Sequence, residues 1–182
     1  MTGLKYLLYT LLFTFSVQSF GAEIPTSAKT FHLNPQSNVS VEIPLGWETA
    51  EGLFGIPLTL LGPEMSGTRP TIAIQPTEKS GGLDPNEMKA EQAGYQAGRE
   101  TWVKKQDGKI QKFIPYTFEK TKNAELHRMG VQYQIAGLRF TEWSVHLFCN
   151  QKLYFVKALF ESKHPIADQK AAELAIRSFN CN

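Results

Sequence analysis

The feature that most constrains the fold is the stretch from Leu126 to Phe160, where three strand-like runs follow one another with almost nothing between them. The first reads Leu126 to Ile135. Its odd positions His127, Met129, Val131, Tyr133 and Ile135 face one way, opposite Arg128, Gln132 and Gln134. The second ends at Cys149, with Trp143, Val145, Leu147 and Cys149 on one face and Glu142, Ser144 and His146 on the other. A period of two is the signature of a strand with two distinct faces. The third run, Leu153 to Phe160, is apolar on both faces apart from Lys157, the pattern of a central strand covered on both sides. Asn150-Gln151-Lys152 is the turn between the last two runs. Three adjacent runs of this kind predict antiparallel sheet.

The remaining elements are placed around that sheet. Val39, Val41 and Ile43 alternate with Ser40 and Glu42, and Pro44-Leu-Gly-Trp47 breaks the run, leaving Trp47 to pack back as an anchor. Ile56–Leu61 and Pro70–Gln75 are two further strands, joined across the turn-rich Gly62–Thr68. Asp84-Pro85 is a helix start, since Asp84 can accept from unpaired amides and Pro85 suits the first helical position. That helix is expected to run to about Gln106. Met88, Tyr95 and Trp102 form its apolar stripe, and Ala90, Ala93, Gly94, Ala97 and Gly98 a small-residue face suited to close packing. Ile110–Phe118 is another strand, with Ile110, Ile114, Tyr116 and Phe118 on one face. Pro165 opens a final helix, Ile166 to about Phe179, with Ala167, Ala171, Ala172, Leu174, Ala175, Ile176 and Phe179 on a wide apolar arc. The fold class is therefore α+β, an antiparallel sheet with helices packed on its faces.

The N-terminus carries an export signal. Lys5 precedes the apolar run Tyr6–Val17, and Ser19 and Gly21 supply the small residues of a cleavage site. The run is about 12 residues, short of the roughly 20 that a spanning helix needs. Residues 1–21 are read as a signal peptide, 22–37 as a flexible segment and 38–182 as one globular domain. The expected location is the periplasm, with no stable membrane insertion after cleavage. In an oxidising compartment Cys149 and Cys181 are favoured to pair, the alternative being two separate thiols. The chain holds 19 basic and 17 acidic residues. Removing Lys5 with the leader leaves 18 against 17, or +1, which offers no electrostatic case for nucleic acid.

No residue set announces catalysis. Glu142, Ser144 and His146 share a strand face, but residues i and i+2 stand about 6.5–7 Å apart along a strand, too far for a Ser–His hydrogen bond without bending. His32, His127, His146 and His164 are dispersed without metal-ligand spacing, and no phosphate-cradling loop follows Gly81-Gly82, so no cofactor or metal is implied. The remaining feature is the apolar, glycine-punctuated segment Gly52-Leu-Phe-Gly-Ile-Pro57. Leu53, Phe54 and Ile56 are a partner contact if exposed and core if tucked beneath the helix.

The order of elements, with the motifs Val41-Glu-Ile-Pro-Leu-Gly-Trp47, Thr71-Ile-Ala-Ile-Gln75 and Ala175-Ile-Arg-Ser-Phe179, resembles the Mog1/PsbP-like superfamily over roughly Asn38 to Asn180. The resemblance implies an α-β-α sandwich and an accessory or binding role without catalysis, and it transfers no functional residue. Two functions are carried forward. One is a non-enzymatic module that contacts an envelope protein. The other is a carrier of a small apolar ligand between sheet and helix, walled by Trp102 and Trp143.

Overall fold

The computed structural model describes residues 29–34, 37–149 and 151–181. The proposed leader lies outside them, as do residues 22–28. Described strands are β1 (Lys29–Asn34), β2 (Ser37–Ile43), β3 (Glu48–Leu53), β4 (Ile56–Leu61), β5 (Thr71–Ser80), β6 (Lys109–Lys120), β7 (Glu125–Ile135), β8 (Leu138–Cys149), β9 (Lys152–Glu161) and β10 (Asn180–Cys181). The helices are α1 (Pro85–Ala90), α2 (Gln92–Lys105) and α3 (Ile166–Arg177).

Seven strands form one antiparallel sheet in the order β3-β4-β5-β9-β8-β7-β6, so the doubly apolar run β9 is its middle strand. A smaller sheet, β1-β2-β10, lies with α3 over one face. The main core is there. Val39 and Val41 of the small sheet and Ala172, Ile176 and Phe179 near α3 meet Leu58, Ile72, Val145, Val156 and Phe160 of the large one. Each such side chain contributes about 1.5–3 kcal/mol on full burial. On the opposite face Val103 of α2 packs with Val131 and Tyr133, a smaller cluster set over the β6–β7 side of the sheet.

The strands β7, β8 and β9, the anchor Trp47 and the helix α3 stand where their periodicity places them, except that Ala167 and Leu174 of the expected apolar arc are exposed. Residues 29–34 pair with β2, and Phe31 and Leu33 pack on the main core. Three expectations need correction. The helix from Pro85 is interrupted at Glu91, although Glu91 still donates to the Glu87 carbonyl and Tyr95 to that of Glu91. The small-residue face of that helix points to solvent, and a Cβ built at Gly94 or Gly98 would meet no atom within 4 Å. Burying the Met88–Val103 side of the helix turns the small residues outward.

In β6 the pairing slips between Ile110 and Lys112 and again between Ile114 and Thr117. Each bulge reverses the alternation of faces. Phe113 therefore joins Ile110 under α2, whereas Ile114 approaches Gly130 and Trp143 on the other side. Gly130 explains how β7 and β8 sit so close at this point. A Cβ there would stand 2.5 Å from the Glu142 carbonyl oxygen and 3.1 Å from Ile114, so only glycine fits.

Candidate functional site

The β3–β4 hairpin holds the most exposed large apolar side chain among the described residues. Leu53 pairs with Ile56, leaving Phe54 and Gly55 to make the connection. Both adopt left-handed backbone, φ 52° and 79°. Glycine does this freely, whereas for an L residue with a bulky side chain the region costs about 1–2 kcal/mol. The Phe54 ring is 93% exposed, and Leu53 and Ile56 are half-buried at its base. Phenylalanine is thus unfavourable here twice over, for its backbone and for its solvation, and among the described residues little covers it. Of the two placements left open by the sequence, Phe54 takes the exposed one and does not tuck under a helix.

The Glu142/Ser144/His146 strand face turns toward α2, and its carboxylate is committed elsewhere. Glu142 is 2% exposed, and its Oε2 accepts from Arg99 Nη2 at 2.8 Å with Lys157 Nζ at 3.4 Å. The Arg99 guanidinium in turn lies 4.2 Å over the Trp102 ring. Burial and the Glu142 charge push the Tyr133 hydroxyl up to about 12, and burial raises that of Tyr95 as well, so both remain protonated. The His146 ring rests on Phe155 at 5.3 Å. This is an ion-paired attachment of α2 to the sheet, and the sequence concealed it because Arg99 is 43 positions from Glu142.

Trp102 and Trp143 do not share a site. Trp102 meets Tyr133 edge-on at 5.7 Å on the α2 face, while Trp143 packs on Phe160 at 4.9 Å on the α3 face. Strand alternation separates them, because Trp143 belongs to the opposite parity of β8 from Glu142.

Two histidines gain partners that periodicity did not reveal. His164 Nε2 stands 3.0 Å from Thr68 Oγ1, and His164 Nδ1 lies 3.6 Å from Asp168 Oδ2. The arrangement has the outline of a nucleophile, base and acid, but the Thr68 proton goes to Glu161 Oε2 at 2.8 Å. With the proton so placed, the tautomer of His164 that bonds Thr68 carries its hydrogen on Nε2, and in that form it is no base for the hydroxyl. Lys163 also binds Glu161, at 2.8 Å, and the Ser66 carbonyl, at 3.2 Å. The cluster pins the β4–β5 loop to the segment before α3. Hydrogen bonds from Lys163 and Thr68 hold the Glu161 carboxyl below the usual range against a smaller upward effect of burial.

His127 is fully buried, with Nδ1 2.8 Å from Tyr116 Oη and Phe118 packed at 4.9 Å. Burial pushes its pKa below the ordinary value of 6.5, opposed weakly by Glu125. The unfolded chain therefore takes up this proton first, so stability is lost as pH falls through about 6.5 toward the folded-state value. Substituting His127→Gln should flatten the dependence of stability on pH between about 7.5 and 5.5. Urea titrations of both forms at several pH values check this, and parallel slopes would show that His127 is not its source.

His32 is exposed on β1. Among the described residues no three His, Cys, Asp or Glu side chains gather as a metal ion would require, and no helix is long and apolar enough to cross a membrane. Cys149 and Cys181 form a disulfide, with Cα atoms 5.5 Å apart, joining the end of β8 to β10 of the small sheet.

No protein-family model and no curated protein sequence matches the chain. Solved structures do, among them the following two. One is LpqN, described as involved in cell envelope biogenesis of Mycobacterium tuberculosis, with TM-score 0.55 and 13% identity over 84% of this chain and 88% of LpqN. The other is the solution structure of the cyanobacterial PsbP of Synechocystis sp. PCC 6803, with TM-score 0.58 and 10% identity over 91% of this chain and 99% of that one. Identities this low speak to fold alone. Together with the antiparallel seven-stranded sheet between α1/α2 and α3, they show that the chain has the Mog1/PsbP-like fold.

Proposed function

We propose that the protein is an exported accessory module that works by holding another envelope protein, with Phe54 as the apolar anchor and Leu53 and Ile56 as its flanks. The observation that carries this reading is the 93% exposed phenyl ring on a residue in left-handed backbone. A side chain that stabilises neither its turn nor the core is explained by what it offers a partner. The export-type leader and the Cys149–Cys181 disulfide support an oxidising compartment, for which the periplasm is the proposed location. The fold's occurrence in LpqN, a protein of envelope biogenesis, is compatible with such a role.

Substitution Phe54→Asn separates function from stability. Asparagine tolerates left-handed backbone, so the variant should be as stable as the parent or more stable, by up to about 1 kcal/mol. Its capture of partner by photo-crosslinking in the native envelope, from a probe at Leu53, should be lost. Retention of the same crosslinked species by Phe54→Asn would overturn the reading, as would a probe at Leu53 that captures no discrete protein from the parent.

A further inference from the structure

The large sheet has two edges, and they are built differently. Edge strands expose unpaired N–H and C=O groups and are commonly defended by proline, lysine, bulges or a covering element. β6 has all four: Pro115 lacks a donor, Lys109, Lys112 and Lys120 line it, its register breaks twice, and α1 and α2 pack against it. β3, Glu48-Thr-Ala-Glu-Gly-Leu53, has none of them. Its pairing with β4 runs without a slip from Glu48↔Leu61 to Leu53↔Ile56, and no described strand pairs with its outer side. Glu48, Thr49, Glu51 and Gly52 are exposed, and Ala50 and Leu53 are half-buried.

The charge at this edge is opposite in sign to that of the chain. Glu48 pairs with Arg69 at 2.9 Å, and Glu51 is exposed on the same strand. Two acidic groups against one basic group give −1, on a chain whose formal charge is +2. Two copies of this edge brought side by side would set acidic strands against each other, which is unfavourable. A cationic strand is the complement.

We propose that the open edge of β3 accepts an extended segment of a partner protein, carrying lysine or arginine at alternate positions, as an eighth strand of the sheet. Main-chain hydrogen bonds hold the added strand, Glu51, which has no salt bridge among the described residues, selects the basic residues on its own face, and Phe54 grips whatever apolar group lies at its end. The proposal rests on the reading of Phe54 as a contact residue and names the chemistry of what is contacted.

The test uses the full chain and three synthetic peptides: acetyl-Lys-Val-Lys-Val-Lys-Val-amide, its glutamate counterpart, and the lysine peptide with proline at the third position. At low ionic strength and millimolar concentration, the lysine peptide should shift the backbone NMR signals of β3 and Phe54 and slow amide exchange along β3. The proline and glutamate peptides should do neither, and Glu51→Lys should weaken the lysine peptide several-fold. No response to millimolar lysine peptide overturns the proposal. Equal responses to all three peptides also overturn it, as does protection of β3 that grows with protein concentration alone, the mark of a second copy. The two readings fail separately. Continued crosslinking from Leu53 with no peptide response removes the strand-addition proposal and leaves the Phe54 anchor standing.

Discussion

Replacing Glu142 by alanine should lower the stability of the protein by about 3–5 kcal/mol, the range seen when one member of a buried ion pair is removed. The reason lies in what is left behind. Arg99 has only 14% of its side chain exposed, and its Nε is buried without a hydrogen-bond partner. Without the Glu142 carboxylate the guanidinium is a desolvated charge held against Trp102. Lys157, with 40% of its side chain exposed, can turn to water and contributes little to the loss. The double substitution Glu142→Met with Arg99→Met should recover most of the stability, because a matched apolar pair removes both the charge and its desolvation. Denaturant titration of the two single variants and the double one measures the coupling directly. A loss below about 1 kcal/mol for Glu142→Ala would show instead that the cluster is solvated.

The second large effect is expected from the disulfide. Substituting Cys149→Ala and Cys181→Ala together should cost about 3–4 kcal/mol, from the loop entropy that a crosslink of this span removes from the unfolded chain. The sequence separation is 32. For a chain of this size that corresponds to a fall in Tm on the order of 10 °C. The loss should be local before it is global. β10 adds only two residues to β2, Asn180 opposite Ser40 and Cys181 opposite Val39, so it is held chiefly by the crosslink. Amide exchange should show β10 released first, with β8 and β9 still protected. An unchanged Tm in reductant would mean that the Ser178 hydroxyl bond to the Glu42 amide and the packing of Phe179 already secure that end.

Legibility in the sequence followed burial. Strands with one or two buried faces, such as β2, β4, β8 and β9, carry the pattern of their environment in their own residues. β3 was missed because it is an edge exposed on both faces, and Glu-Thr-Ala-Glu-Gly-Leu shows no alternation to read. In β6 only Ile114 leaves the expected face, because the first slip shifts parity without leaving a mark on composition and the second returns Tyr116 and Phe118 to the side of Ile110, against His127. The site was legible by residue but not by state. Leu53, Phe54 and Ile56 stood out as apolar between glycines, while the exposure of Phe54 depends on the turn lying past the last β4–β5 pair, Leu58 opposite Ile74.

By itself the sequence determined the secondary elements that bury apolar surface and the chemistry that favours pairing Cys149 with Cys181. These are local properties, set by periodicity over a few residues or by residue type. Only the tertiary structure decided the order in which the strands lie and that β1, β2 and β10 form a second sheet. It also decided that Arg99 and Lys157 converge on Glu142, and that Trp102 and Trp143 stand on opposite sides. Each of these depends on register between segments far apart in the chain, where one residue of slip exchanges every inward side chain for an outward one.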